Sequence, residues 1–196
     1  MSCENLIAKC FEDYQLIDSG QGNKLETVSG IKMVRPSPQA IWNKSVPQRQ
    51  WQAATSKVIR KKDGGGVWEH GSGDPTPFNL KWKSDKCASF EFKLKLTSFG
   101  HCGIFFEQSS IWNEIESQLS LSHKKQPTFL NLFGYTGAAS IVAAKCGANV
   151  VHVDSSKGVL DWGRQNCELN KIGSDRIKWF QSDVMKFLEN AIKRNE

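Results

Sequence analysis

The sequence has no C-x-x-C pair. Its six cysteines, Cys3, Cys10, Cys87, Cys102, Cys146 and Cys167, stand scattered, and no secretory leader pattern precedes them. A disulfide framework is therefore excluded as the basis of the fold, and a reduced, cytoplasmic chain is expected. His101 and Cys102 are adjacent, but a zinc site needs about four converging ligands, and no second Cys/His cluster supplies them. No metal is expected. No apolar run approaches the roughly 20 residues of a membrane helix before a charge interrupts it, so a soluble protein without a membrane partner is expected. Internal repeats and low-complexity tracts are absent too.

What is present falls into two textures. Of the net charge of +6, residues 1–100 hold fifteen Lys/Arg against ten Asp/Glu, a net of +5, and residues 101–196 hold only +1. A basic half is compatible with a phosphate-bearing partner and equally with an ordinary solvated surface. In that half, short apolar or β-branched runs are cut by turn chemistry at Ser19-Gly20-Gln21-Gly22-Asn23, Pro36-Ser37-Pro38, Asp63-Gly64-Gly65-Gly66 and Gly71-Ser72-Gly73-Asp74-Pro75, which predicts hairpins. The clearest strand is 88–97, where Phe90, Phe92, Leu94 and Leu96 alternate with Glu91, Lys93, Lys95 and Thr97; one face is core and the other wet. Trp42, Trp51, Trp68 and Trp82 suit a small β-core filled by a few large side chains.

The second texture begins after a predicted helix over 109–121 (Ile111, Trp112, Ile115, Leu119) and a polar linker, 122–127. Three strand–helix pairs follow: strands at 129–133, 150–153 and 177–180, helices at 138–145, 157–170 and from 184 to about 193. Such alternation predicts a parallel sheet with crossover helices. The fold class is thus α/β: a small β-rich domain over 1–106, a connecting helix and linker over 107–127, and a partial Rossmann-like domain over 128–196.

The first of these strands runs directly into Gly134-Tyr135-Thr136-Gly137 and a helix of small residues, Ala138 to Ala144. Glycine there lets backbone approach a ligand, and small residues let the helix lie close to the sheet. The second strand ends at Asp154, where an open α/β sheet places an acid for the vicinal hydroxyls of a ribose. The third leads to Asp183, from which a carboxylate can accept from an adenine amine. Each acid alone serves equally well as a helix cap. Together with the glycine loop, in register, they describe an adenosine site. A dinucleotide fingerprint would place glycines at 136 and 139; the sequence has Thr136 and Ala139, which removes the pyrophosphate cradle of an NAD enzyme. S-adenosylmethionine (SAM) has no phosphate and tolerates such a loop.

The stretch from Phe129 to Asn170, with Asn131-Leu132-Phe133-Gly134-Tyr135-Thr136-Gly137, Val153-Asp154-Ser155-Ser156-Lys157 and Trp162-Gly163-Arg164-Gln165-Asn166-Cys167-Glu168-Leu169-Asn170, resembles the class I SAM-dependent rRNA methyltransferases of the large-subunit cytosine/guanine type. Gly103-Ile104-Phe105-Phe106-Glu107-Gln108 is similar to that family's lead-in, and the resemblance spans roughly residues 12–190. It implies a Rossmann-like class I fold, SAM as cofactor and rRNA as partner. It also implies cofactor contacts from Asn131, Phe133, Gly134, Tyr135, Thr136 and Gly137 to the methionine part, Asp154 with Ser155 to the ribose, and Asp183 with Val184 to the adenine; Gln108 is a weaker carry-over.

Two departures shape the expectations. The family continues to a fourth strand ending in an Asp-Pro-Pro or Asn-Pro-Pro motif that lines the acceptor side, whereas Pro127 is the last proline here. The first-half sheet should leave the strand at 128–133 unpaired along one edge, an association hazard that predicts self-association or poor stability. No catalytic residue can be nominated: Cys146 and Cys167 fit packing better than attack. A SAM-dependent methyltransferase of rRNA is the first expectation. The alternatives are a truncated product that holds SAM or adenosine without turnover and, more remotely, an NAD-binding protein. Lys57, Arg60, Lys61 and Lys62, with Trp68 for stacking, are candidate RNA contacts, although a lysine-guarded hairpin edge explains them better.

Overall fold

The computed structural model describes residues 11–61, 65–71, 73–86, 88–123 and 125–194. Cys3, Cys10, Lys62, Asp63, Gly64, Ser72 and Cys87 lie outside the described residues. The chain divides into two compact units, one built from Cys10–Lys83 and Lys93–Ile104, the other holding Ser84–Phe92 and Phe105–Glu196.

In the first unit, β1 (Tyr14–Gly20), β2 (Asn23–Val28), β3 (Ile31–Pro36), the short helix α1 (Gln48–Gln52), β4 (Ser56–Arg60) and β5 (Gly66–His70) give a five-stranded sheet in sequential order. The β1–β2 and β2–β3 hairpins turn on Gln21-Gly22 and Ser29-Gly30, all four with positive φ of 48–79°. Two-residue loops with both φ positive are the turns whose twist matches paired strands. The β3–β4 pair is parallel because α1 and its loops intervene. Leu25, Val34 and Trp51 form the core between sheet and α1, joined by Ile17, Val46 and Ala54. Trp51 is seated by its indole N–H, which donates to Asp18 Oδ2 at 3.1 Å alongside the amides of Ser45 (2.9 Å) and Val46 (3.0 Å). Burial works against the Asp18 charge, yet these donors hold its carboxyl below the usual range.

A fully buried carboxylate, Glu26, is the other organising group of this sheet. Arg35 grips it with Nε to Oε2 at 2.7 Å and Nη2 to Oε1 at 3.2 Å, Tyr14 donates its hydroxyl at 2.8 Å, and Lys24 lies 3.1 Å away. Burial raises the Glu26 carboxyl, but the Arg35 charge and bonds outweigh it and leave the group ionised below its ordinary range.

The strands β6 (Phe78–Lys83) and β7 (Ser89–Leu94) make a two-stranded sheet. The alternation expected over 88–97 holds, with Phe90, Phe92 and Leu94 buried. The strand stops earlier, at Leu94, because the backbone then folds back: Lys95 N donates to Cys102 O and Thr97 N to His101 O.

In the second unit, α2 (Ser109–Leu121), β8 (Thr128–Leu132), α3 (Ala138–Lys145), β9 (Asn149–Asp154), α4 (Lys157–Leu169), β10 (Ile177–Gln181) and α5 (Val184–Lys193) follow the expected alternation. The sheet is parallel in the order β10-β9-β8. Its register places Asn131, His152 and Trp179 side by side on the face that α3 and α4 cover, and Leu130, Val151 and Lys178 on the other. Among the described residues β8 pairs on one edge only, and Leu130 is 46% exposed.

The Glu26–Arg35 pair yields a stability prediction. Arg35→Ala removes the main buried partner of Glu26, leaving it only Lys24 and the Tyr14 hydroxyl, and is expected to cost about 3 kcal/mol in urea denaturation. Replacing both members with methionine should recover most of that loss.

Candidate functional site

The site grows from the carboxyl ends of the three parallel strands. Where β8 ends, Phe133 (φ 56°), Tyr135 (φ 51°) and Gly137 (φ 87°) all turn left-handed within five residues. Only glycine adopts that region without strain, and non-glycine residues there cost on the order of 1–3 kcal/mol each. Surrounding contacts hold the loop in place. Gly134 N donates to Val153 O at 3.0 Å, Gly137 N to Gly134 O at 3.1 Å, and Asn166 Nδ2 to Thr136 O at 3.1 Å. Thr136 is buried, whereas Phe133 is 75% exposed. Gly137 then starts α3, whose Ser140, Ile141, Val142, Ala143 and Ala144 are buried, as its small-residue sequence requires.

Asp154 joins loop to sheet. Its Oδ2 accepts from Tyr135 N at 3.0 Å and its Oδ1 from Ser156 N at 3.0 Å. A carboxylate has about four acceptor positions, so two backbone bonds orient the group while leaving capacity for two hydroxyls. Asp154 thus holds both the loop after β8 and the backbone that leads into α4, whose N-terminal Ser156 makes no side-chain capping bond. Asp183 does cap: its Oδ1 accepts from Lys186 N at 3.1 Å at the start of α5. Asp183 Oδ2 makes no hydrogen bond among the described residues. The tips of β9 and β10 are tied by Ser182 N to Asp154 O at 3.1 Å and Gln181 Nε2 to Ser155 O at 3.4 Å. The two acids thus lie on neighbouring strand tips. Val184 is buried, so its backbone N–H is what it can offer a ligand.

One residue that sequence reasoning missed sits beneath this loop. His152 is fully buried, with Nδ1 2.8 Å from Ser140 Oγ, which accepts from Asn131 Nδ2 at 2.8 Å. The second ring nitrogen, Nε2, is buried, and the backbone of Tyr135 acts on the imidazole as a hydrogen-bond partner that partly offsets the effect of burial. A Cβ on Gly134 would fall 2.3 Å from His152 Cε1. Gly134 is thus required by contact with the imidazole, while its neighbours carry the turn's unusual φ. Trp179 completes the layer, 4.4 Å from His152 between ring centres and close enough to Gly163 that a Cβ there would meet its ring at 2.7 Å. The only sequence signal was a lone polar residue inside Val150-Val151-His152-Val153.

Asn131 therefore acts as a brace beneath the loop, through Ser140. Gln108 closes a single 3-10 turn and is exposed; its neighbour Phe105 packs on Tyr135 at 5.3 Å between ring centres. Burial pushes the thiols of Cys146 and Cys167 up, away from thiolate reactivity. Lys57, Arg60 and Lys61 are exposed, and Trp68 is engaged, donating to Thr97 O at 2.8 Å and stacking on His70. Among the described residues no group of three or more His, Cys, Asp or Glu could hold a metal, and no helix is long and apolar enough to cross a membrane.

The second unit is a Rossmann-like α/β arrangement with a glycine-bearing loop at the carboxyl end of its first parallel strand, and the other unit is β-rich. Among solved structures the chain is similar to a SAM-dependent methyltransferase from Agrobacterium tumefaciens, 36% identical with a TM-score of 0.83, over 95% of this chain and 57% of that one. A Streptococcus mutans protein provisionally titled a SAM-dependent methyltransferase shares the fold at 17% identity and a TM-score of 0.69, over 99% of this chain and 51% of that one. Among curated proteins it is homologous to ribosomal RNA large subunit methyltransferase K/L of Pseudoalteromonas translucida, 38% identical over 102 residues, 52% of this chain and 14% of that protein. The Pseudomonas fluorescens protein of the same name is 40% identical over 99 residues, 50% of this chain and 12% of its own length. The chain thus spans about one seventh of the curated relatives and somewhat over half of the Agrobacterium protein. No protein-family model matches it.

The buried imidazole sets a pH dependence. Burial is the largest cause holding His152 down from 6.5 to about 4. Below about pH 6.5 the unfolded chain takes up a proton that the folded chain refuses until about pH 4, so stability falls across that window and this contribution is level above it. At about 1.36 kcal/mol per pH unit the full depth is about 3 kcal/mol. Thermal melting between pH 7 and 4 should show the decline, and His152→Gln should flatten it.

Proposed function

We propose that this chain binds S-adenosylmethionine and forms the donor side of a methyltransferase that acts on ribosomal RNA. The observation that carries the reading is Asp154, held bidentate by the amides of Tyr135 and Ser156 at the mouth of a glycine loop, in a chain 36% identical over 95% of its length to a SAM-dependent methyltransferase. The names of the curated relatives supply the rRNA part. In this reading residues 128–196 are the donor domain, 107–127 the connection, and 1–106 the domain that meets the RNA.

The residues present fit the cofactor. Gly134 leaves no side chain between the loop backbone and the His152 ring, and the loop from Phe133 to Gly137 offers its backbone to the methionine part. Asp154 accepts the two ribose hydroxyls on the positions its backbone donors leave open, with Ser155 beside it. Asp183 Oδ2 accepts the adenine amine, and Val184 offers its N–H at the start of α5. When bound, SAM would supply an electrophilic methyl group that an acceptor nucleophile takes in line, the carbon–sulfur bond breaking as the neutral thioether of S-adenosylhomocysteine leaves. The chain's own contribution is placement: the Asn131–Ser140–His152 brace keeps the loop from relaxing out of its left-handed turns. Thr136 and Ala139 stand where a dinucleotide site would have glycine, which sets the NAD reading aside.

Titration calorimetry should show binding of SAM and S-adenosylhomocysteine that Asp154→Ala weakens about 10- to 100-fold, the loss of one or two charge-assisted hydrogen bonds. NADH should give no thermal shift where S-adenosylhomocysteine does; the reverse ranking would overturn the reading.

The open edge of β8 adds a statement about assembly. An unpaired parallel strand that exposes Leu130 invites another strand, and we infer that the isolated chain self-associates through it. Sedimentation velocity should resolve concentration-dependent dimers or larger species, and Leu130→Lys should shift them toward monomer.

A further inference from the structure

The β-rich unit holds a cavity of about 340 Å³ between α1 and the strands β2, β3 and β4, lined among others by Asn23, Lys44, Gln48, Trp51 and Lys57, with Val34 in its wall. This lies within the range of about 300–1,000 Å³ typical of small-ligand sites. No carboxylate lines it. Asp18, which bonds the Trp51 indole, is buried and already accepts from Ser45 N, Val46 N and Trp51 Nε1. Lys44 is held at the mouth with Nζ 4.1 Å from the centre of the Trp51 ring, a cation–π contact that fixes an ammonium without neutralising it. Lys57 stands on β4 opposite Val34 of β3 and is exposed. Neither lysine has an ion-pair partner among the described residues. The cavity therefore presents two unneutralised ammonium groups, side-chain amides from Asn23 and Gln48, and an apolar wall.

We propose that this cavity binds a nucleotide of single-stranded RNA, with its phosphate between Lys44 and Lys57 and its base edge facing the amides. The proposal rests on the RNA reading given above and moves the contact from where the sequence suggested it. The run Lys57, Arg60, Lys61 is an exposed stretch of β4 and the chain beyond it, and Trp68 is already bonded and stacked. Only Lys57 of that run lines the cavity, and its partner there is Lys44, thirteen residues earlier in the sequence. The ammonium groups supply the sequence-independent, salt-sensitive part of RNA affinity, and the amides and apolar wall supply the shape.

The test measures fluorescence anisotropy of a labelled single-stranded RNA of about ten nucleotides on the full chain across a salt series. Neutralising the pair with Lys44→Gln and Lys57→Gln should weaken binding about tenfold or more and reduce the slope of log K against log salt by about 1.4, near 0.7 for each lysine charge removed from a phosphate. Lys81→Gln with Lys83→Gln removes the same charge from exposed positions of the same unit outside the cavity, and should weaken binding less than about threefold. Gln48→Trp fills the space without changing charge, and should lower affinity while leaving the salt slope unchanged. Equal losses from the two lysine pairs, or unchanged binding in Gln48→Trp, would overturn the site while leaving the RNA reading standing. A parent chain that fails to bind RNA at all would sink both.

Discussion

The bond from Tyr135 N to Asp154 Oδ2 is the contact on which the candidate site turns. It joins the loop after β8 to the end of β9, and the same carboxylate captures Ser156 N before α4 begins. Two crossovers are thereby referenced to one acid. Ser182 N adds the third strand by donating to the carbonyl of the same residue. A single position at the end of β9 therefore coordinates the tips of all three strands, and its carboxylate keeps acceptor capacity for a ligand. The arrangement explains why an acid, rather than an amide, suits this point: an asparagine would offer one acceptor oxygen where two backbone donors converge.

The β-rich unit follows a different logic. Its sheet has two hairpins that close on two-residue turns, but its interior depends on charges that burial would otherwise expel. Glu26 is tolerated because Arg35 and Tyr14 saturate it, and Asp18 because it caps a loop and anchors the Trp51 indole. Buried pairs of this kind contribute little net stability against apolar replacements, while loss of one member is costly. Their effect here is geometric: Asp18 fixes Trp51, and Trp51 in turn positions Lys44 at the cavity mouth.

Much of the parallel sheet was legible in the sequence because its signals are local. Strand runs, a glycine turn, small helix residues and acids at strand ends each occupy a few consecutive positions, and every helix of the second unit lies within a residue or so of its predicted limits. The positions of the two acids at strand ends were legible for the same reason, and the capping role expected as the alternative for Asp183 is present at α5. The Ser29-Gly30 turn carried a local signal too, and it lay between the segments that drew attention. What stayed hidden depends on pairs distant in sequence. Asn170 bonds both backbone groups of Glu91 at 2.6 and 3.0 Å, and His152 meets Gly134. No periodicity encodes such contacts, since each requires the fold to exist first.

His152 shows why the missing layer matters to the chemistry above it. A glycine in a ligand loop is ordinarily explained by the ligand that approaches it, yet here the space a side chain at Gly134 would need is already occupied from below by an imidazole. The same imidazole is joined through Ser140 to Asn131, one of the loop residues assigned by resemblance. Burial depresses its affinity for a proton, so the ring is neutral at ordinary pH and supports the loop by shape and hydrogen bonding rather than by charge. Under the proposed function, a neutral support suits a cationic sulfonium donor above the loop, because a buried imidazolium would oppose that charge in a medium that screens it poorly. The left-handed turns of Phe133 and Tyr135 are held without ligand, and under that proposal a loop already formed would lower the entropic cost of binding.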